Sequence, residues 1–159
     1  MEAKELVFQF LQCAQQNRIT MGKTKLIKML YLAEVEYAQE TGKRLTTLEW
    51  IYYFHGPYSF ELEKILNGSD FLVREERKSK DGKKYTLFRL KKFTPQNVKN
   101  FADPVKENIF KKVLQNWGKK PLKDLVDYVY LNTDPMRNAV MRGDRLNFTC
   151  IIEQHRKKK

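Results

Sequence analysis

The 159-residue sequence predicts a mainly helical α+β domain with one central small antiparallel sheet. Three observations carry this prediction. Apolar residues recur at three- and four-residue spacing in several segments, as they do in helices packed on one face. The segment 48–54 is short and rich in aromatic and β-branched residues, which favours a strand. Asp81-Gly82 lies between two further short apolar runs, and this dipeptide is a strong hairpin signal.

Two helices are predicted at the N-terminal end of the chain. The first covers residues 3–15, where the apolar residues form a stripe one face wide. The second begins near Lys23 and ends before Gly42, which stands where a helix C-cap belongs. Because its apolar pattern is the strongest in the chain, we expect this second helix to be central.

The segment 50–59 raises the question of why five aromatic residues and a histidine surround a Gly-Pro step. We expect Gly56-Pro57 to end the strand, because proline cannot donate a ladder hydrogen bond, and Gly56 to hold a positive φ angle. Ser59 then caps a short helix that stops at Asn67-Gly68. Alternation along Leu48, Trp50, Tyr52 and Phe54 is expected to turn most of this strand face toward the core.

A charged hairpin follows, with strands at 71–73 and 85–88, so the aromatic strand and this hairpin together suggest a winged-helix-like sheet. Only one helix fits between them, whereas a helix-turn-helix unit needs two. The C-terminal part is again helical, with predicted starts at Thr94-Pro95, Pro121 and Asp134-Pro135 and a stop at Gly118.

We expect residues 1–150 to form a single domain, packed by helices from both ends of the chain. The basic segment 151–159 is predicted to be a disordered tail. Helical and strand spacing predict six residues in one common core: Leu26, Leu30, Tyr31, Trp50, Ile65 and Phe110.

The composition limits the possible partners and locations. The net charge of +12 favours an acidic protein or nucleic acid as partner. No apolar run approaches the ~20 residues of a membrane span, so no membrane partner is expected. The acidic N-terminal start lacks the basic region of a signal peptide, which predicts a cytoplasmic protein with Cys13 and Cys150 as buried thiols.

The sequence offers no set of residues for catalysis. His55 and His155 are its only histidines, and neither has further metal ligands at a suitable spacing. The stretch Gly22 to Lys25 resembles the end of a phosphate-binding loop, but the earlier glycine is missing. We therefore predict no enzymatic activity, no metal and no cofactor.

The residues left for a partner lie at the Gly-Pro step and on the charged hairpin. The aromatic rings suit a protein partner. The basic hairpin residues suit phosphates, although Glu75, Glu76 and Asp81 dilute their charge. The predicted partner-binding residues are Tyr53, His55, Gly56, Pro57, Tyr58, Arg77, Lys83 and Lys84.

Three motifs in order resemble one known family. They are "KLIKMLYLAEVEYAQETGKRLT" from Lys25, "YFHGPYSFELEKIL" from Tyr53 and "DLVDYVYLNTDPMRNA" from Asp124. Together they are similar to the SocA-like, or Panacea-domain, antitoxins, over residues 4–142. His55 and Met136 depart from the family pattern, which more often has tyrosine or a basic residue at the first position and an aromatic residue at the second.

The resemblance implies a bacterial or phage antitoxin that neutralises a cognate toxin protein by direct contact. It also implies that some members present their toxin to a protease. The alternative left open by the residues themselves is a winged-helix-like DNA-binding regulator.

Overall fold

The computed structural model describes residues 1–92 and 103–158. Over these ranges the chain is mainly helical with two small antiparallel sheets, which confirms the α+β fold class. The predicted helix start at Thr94-Pro95 lies outside the described residues. In chain order the elements are α1 (Ala3–Gln16), α2 (Lys23–Thr41), β1 (Ile51–Tyr53), β2 (Gly56–Tyr58), α3 (Phe60–Gly68), β3 (Leu72–Lys78), β4 (Lys84–Leu90), α4 (Pro104–Trp117), α5 (Leu122–Asn132), α6 (Asp134–Arg137) and α7 (Thr149–Lys157).

Helix α2 lies at the centre of the fold, as predicted. It contacts α1, α4, α5 and α7 as well as β2 and β4. Gly42 ends it in the left-handed conformation, with φ of 72°, and its N–H donates to the Ala38 carbonyl. Because α2 is covered on most sides, its middle section is buried around almost the whole circumference.

The predicted core is confirmed. All six residues named for it belong to one buried cluster, in which only Ile65 retains as much as 9% of its surface. Aromatic rings join distant elements there in edge-to-face contacts. The Tyr31 and Trp50 ring centroids are 5.5 Å apart, and those of Phe10 and Phe110 are 5.7 Å apart.

The sheet arrangement differs from the prediction of one central sheet. The aromatic strand is β1, and Gly56-Pro57 does not end it but lies in β2, its hairpin partner. The hairpin β3–β4 forms a second, separate sheet. The reason is that the backbone of Tyr52 already bonds elsewhere, donating to the Asp144 carbonyl at 2.8 Å and accepting from the Gly143 N–H at 2.6 Å.

Those two bonds also explain how proline fits into β2. Tyr52 faces Pro57 across the hairpin, and at this position both backbone bonds of Tyr52 point away from β2. The missing N–H of proline therefore removes no ladder bond. Ser59 follows directly and caps α3 by accepting from the Leu62 N–H at 3.2 Å, as predicted.

The prediction of a disordered tail from residue 151 is wrong for residues 151–157, which belong to α7. This helix packs on α2 through Ile151, which is 2% exposed, and His155 Nδ1 lies 3.1 Å from the Gln39 carbonyl. Because basic residues surround one buried apolar position, the composition of this segment did not indicate a helix. Cys13 is buried, whereas Cys150 is only half-buried, and both are free thiols.

Candidate functional site

Four aromatic rings form a surface cluster at the β1–β2 hairpin. This ring cluster consists of Tyr53, Phe54, Tyr58 and Phe60, whose neighbouring ring centroids are 4.7–5.5 Å apart. Phe54 lies in the two-residue hairpin turn and is 57% exposed, and Phe60 begins α3 and is 51% exposed. Exposed apolar side chains in mutual contact make this surface a candidate for an interaction site.

The loop after α6 extends this apolar surface. Gly143 bonds to Tyr52, so the loop lies directly beside β1. It places the Arg142 guanidinium 4.2 Å from the centroid of the Phe54 ring, in a cation–π contact. Two further apolar side chains of the loop are largely exposed, Val140 at 85% and Met141 at 66%.

A cleft of about 330 Å³ separates the ring cluster from the N-terminal part of α2. We call it the hairpin cleft; its walls are Lys23, Thr24, Ile27, Lys28, Tyr53, Phe54, His55 and Tyr58. Lys28 is only 2% exposed, and its Nζ donates to the Pro57 carbonyl at 2.8 Å. Burial lowers the pKa of the Lys28 ammonium to about 8.

A second lysine of the cleft is neutralised locally. Lys23 Nζ lies 2.8 Å from a Glu63 carboxylate oxygen. Hydrogen bonds from Lys23 and then from Tyr58 hold the pKa of Glu63 below its usual value. Partial burial, followed by the bond to Glu63, raises the pKa of the Tyr58 hydroxyl. These three side chains therefore form one satisfied group at the rim.

Gly56 and Pro57 shape the backbone under this surface. Gly56 has φ of +99°, as predicted, and a Cβ there would lie 3.4 Å from the Tyr130 ring and 3.9 Å from Lys28 Cε. Both residues are buried. Their place in the site is thus to hold the hairpin above Lys28.

The predicted site residues are brought together only in part. Tyr53, His55 and Tyr58 line the hairpin cleft, and His55 is exposed. Lys84 lines a neighbouring cleft that shares Lys23 and Thr24 with the first.

The other two charged residues belong to the β3–β4 hairpin. Arg77 forms an ion pair with Glu75 at 2.9 Å, and Arg89 pairs with the same carboxylate at 2.7 Å. Lys83 lies in the turn, where its carbonyl accepts from the Ser79 N–H at 2.9 Å. The charge of this hairpin is therefore partly neutralised from within.

Sequence reasoning missed Lys28, Phe54 and Phe60 as site residues. The available signal was Lys28 itself, a charged residue among consecutive apolar positions of α2. Two other polar residues of the same segment also bond inward. Lys25 Nζ donates to the carbonyls of Gly118 and Lys120 at 2.7 and 2.8 Å, and the Tyr31 and Thr133 hydroxyls are 2.9 Å apart.

Comparison with known proteins identifies the family. A model described as antitoxin SocA-like, Panacea domain, matches residues 26–134, which run from the first turn of α2 to the start of α6. The chain belongs to this family. Neither the curated proteins nor the solved structures gave a match.

Family membership suggests a role in binding rather than in catalysis. The matched range contains the whole ring cluster as well as Lys28. Within residues 1–92 and 103–158, no cluster of three or more His, Cys, Asp or Glu side chains is placed to hold a metal ion. Across the same residues, every helix is too short or too polar to span a membrane.

Proposed function

We propose that this chain is an antitoxin that neutralises a toxin protein encoded beside it by direct contact. The observation that carries the proposal is the ring cluster, with two phenylalanines more than half exposed inside the range matched by the antitoxin family. Aromatic side chains make strong anchors in protein interfaces, because they bury a large area and have few torsions to fix.

The charge of the chain supports an acidic toxin surface. The net charge is +12, and Lys84 stands beside the hairpin cleft while Lys83 and Arg77 lie farther along the same charged hairpin. Such a balance speeds encounter with an acidic partner and makes association sensitive to salt. In this proposal the ring cluster supplies the anchor and the charged hairpin supplies the rim.

The test is growth rescue with the neighbouring gene. Wild-type chain co-expressed with the adjacent reading frame should restore growth, and the purified proteins should bind. Phe54→Ala combined with Phe60→Ala should weaken binding by roughly 30-fold or more, the effect of losing a hot spot of about 2 kcal/mol. The melting temperature should stay near that of the wild type, because both rings are largely in solvent.

Phe8→Ala is the matched control. Phe8 is also a partly exposed ring, at 36%, but it lies on α1 and packs edge-to-face on Phe71. We expect this variant to rescue growth as well as wild type. If the double variant at Phe54 and Phe60 also rescues fully and binds normally, the ring cluster is not the toxin-binding surface.

The alternative of a DNA-binding regulator makes a different prediction. It requires tight binding to duplex DNA with a steep dependence on salt. Only α3 stands between β2 and β3, and Glu75 engages two arginines of the hairpin, so the features expected of a DNA reader are weak. A gel shift on the upstream DNA separates the two functions. Nanomolar binding at physiological salt, with no growth rescue, would leave the antitoxin proposal without support.

Presentation of the toxin to a protease is a separate extension of the proposal. If it occurs, the toxin's half-life in cells should fall when the chain is co-expressed. A toxin that is neutralised but stable would indicate inhibition by binding alone.

A further inference from the structure

The floor of the hairpin cleft carries a buried positive charge without a local counter-charge. Lys28 is 2% exposed, and no carboxylate oxygen of the described residues lies within 4.0 Å of its Nζ. The Pro57 carbonyl is its one hydrogen-bond acceptor in the same part of the chain. An ammonium has three N–H donors, so two of them remain for another acceptor.

The other charged groups around the cleft do not supply that acceptor. Glu63 is occupied by Lys23 and Tyr58. A buried charge is costly when it is not paired. The Tyr58 ring, whose centroid is 5.9 Å from Lys28 Nζ, faces the ammonium but carries no net charge, so the cleft suits an anionic group that enters from outside.

From this we infer that the hairpin cleft receives an acidic side chain of the partner protein, whose carboxylate bonds to Lys28 Nζ while its stem packs against the Tyr53 and Tyr58 rings. This rests on the proposed function and specifies what the toxin presents. The cleft volume of about 330 Å³ fits one or two side chains. Water molecules, at about 30 Å³ each, would fill it when it is free.

The walls favour a protein carboxylate over a nucleic-acid phosphate. Lys28 contributes one ammonium, and Lys23 is already neutralised by Glu63 at 2.8 Å. The remaining walls are largely aromatic or apolar. A phosphate site normally offers several N–H donors or an arginine, whereas a single ammonium between rings matches a glutamate or aspartate flanked by apolar residues.

The test compares two capped peptides on the full chain by nuclear magnetic resonance. The peptides are acetyl-Ala-Leu-Glu-Ala-amide and its Gln counterpart, which differ only in the carboxylate. We expect the Glu peptide to bind at least about tenfold more tightly, the effect expected of a charge-assisted hydrogen bond. The Lys28 side-chain methylene signals should shift with the Glu peptide, a readout that requires no variant.

Variants then locate the preference. Lys28→Met, which keeps the stem, should abolish the difference between the peptides. Lys4→Met, which removes an exposed lysine of α1 that lines neither cleft, should retain it. Equal binding of the two peptides, or binding of neither at concentrations up to about 10 mM, would overturn the inference.

The two proposals fail in distinguishable ways. Growth rescue without any preference for the Glu peptide would remove this inference and leave the antitoxin function standing. A clear Lys28-dependent preference without growth rescue would support the carboxylate site and remove the antitoxin function.

Discussion

Because Lys28 is buried, the free energy of unfolding should depend on pH in the alkaline range, and the size of this effect follows from the pKa of Lys28. Burial lowers the pKa of Lys28 from its ordinary value of 10.5 to about 8. Below pH 8 the amine is protonated in both the folded and the unfolded chain, and the fold carries the cost of burying the ammonium. Between about 8 and 10.5 the unfolded chain binds more protons than the folded one, so stability rises with pH across this window.

The expected size follows from the same two values. Each pH unit in the window contributes about 1.4 kcal/mol, so the interval from 10.5 to about 8 gives a gain of about 3 kcal/mol. Tyr58 and Lys23 also line the cleft, and Glu63 bonds to Lys23 at its rim. Because Lys28→Met retains all of them, the difference between wild type and this variant isolates Lys28.

The assay is urea unfolding of wild type and Lys28→Met at several pH values from 7 to 10.5. We expect the free energy of unfolding of wild type, relative to the variant, to rise by about 3 kcal/mol over that range. Lys84→Met controls for the loss of any one lysine charge. A rise below about 1 kcal/mol would mean that the Lys28 ammonium is well hydrated in the fold and would refute the reasoning.

Three further predictions concern the stability of the fold. Gly56→Ala should destabilise the fold by about 1–2 kcal/mol, because φ is +99° there. Gly68→Ala in α3, where a Cβ would meet open space, should be neutral or stabilising. Equal effects of the two substitutions in thermal unfolding would contradict the strain at Gly56. Leu30→Ala should cost ~2–5 kcal/mol in denaturant unfolding, and a loss below about half a kcal/mol would place Leu30 outside the core. Ile151→Ala should lower stability by about 2 kcal/mol or more, measured in the same way; an unchanged midpoint would show that α7 does not stabilise the fold through this residue.

Most of the helices, although not α7, could be predicted because local signals agreed with burial. In α2 the start at Lys23 and the Gly42 cap both followed from the sequence, and Ser59 was found as a cap for the same reason. The sheet arrangement could not be predicted, because it depends on the loop at Gly143 and Asp144 that takes the backbone bonds of Tyr52. A contact across some 90 residues leaves no local pattern at either end.

The residue types of the candidate site could be predicted from the sequence, but which of their side chains face solvent could not. Strand alternation holds for Leu48 and Trp50, which are each 1% exposed, and fails at Phe54, because the chain has already entered its turn there. A two-residue shift of the turn converts an expected core ring into a surface ring. Lys28 could not be predicted as a buried site residue, because burial of a charge depends on the acceptor that reaches it. Here that acceptor is the Pro57 carbonyl.

The hydrogen bonds that α2 makes to the rest of the fold have a consequence for redesigning which partner the chain binds. Lys25, Lys28 and Tyr31 connect this helix to three remote parts of the frame, whereas Phe54 and Phe60 largely face solvent. If the ring cluster anchors the toxin as proposed, a combinatorial library that randomises only Phe54 and Phe60 would vary the recognised target while leaving those hydrogen bonds unchanged. Selection for growth against a panel of unrelated toxins would then sample new pairings on one unchanged scaffold.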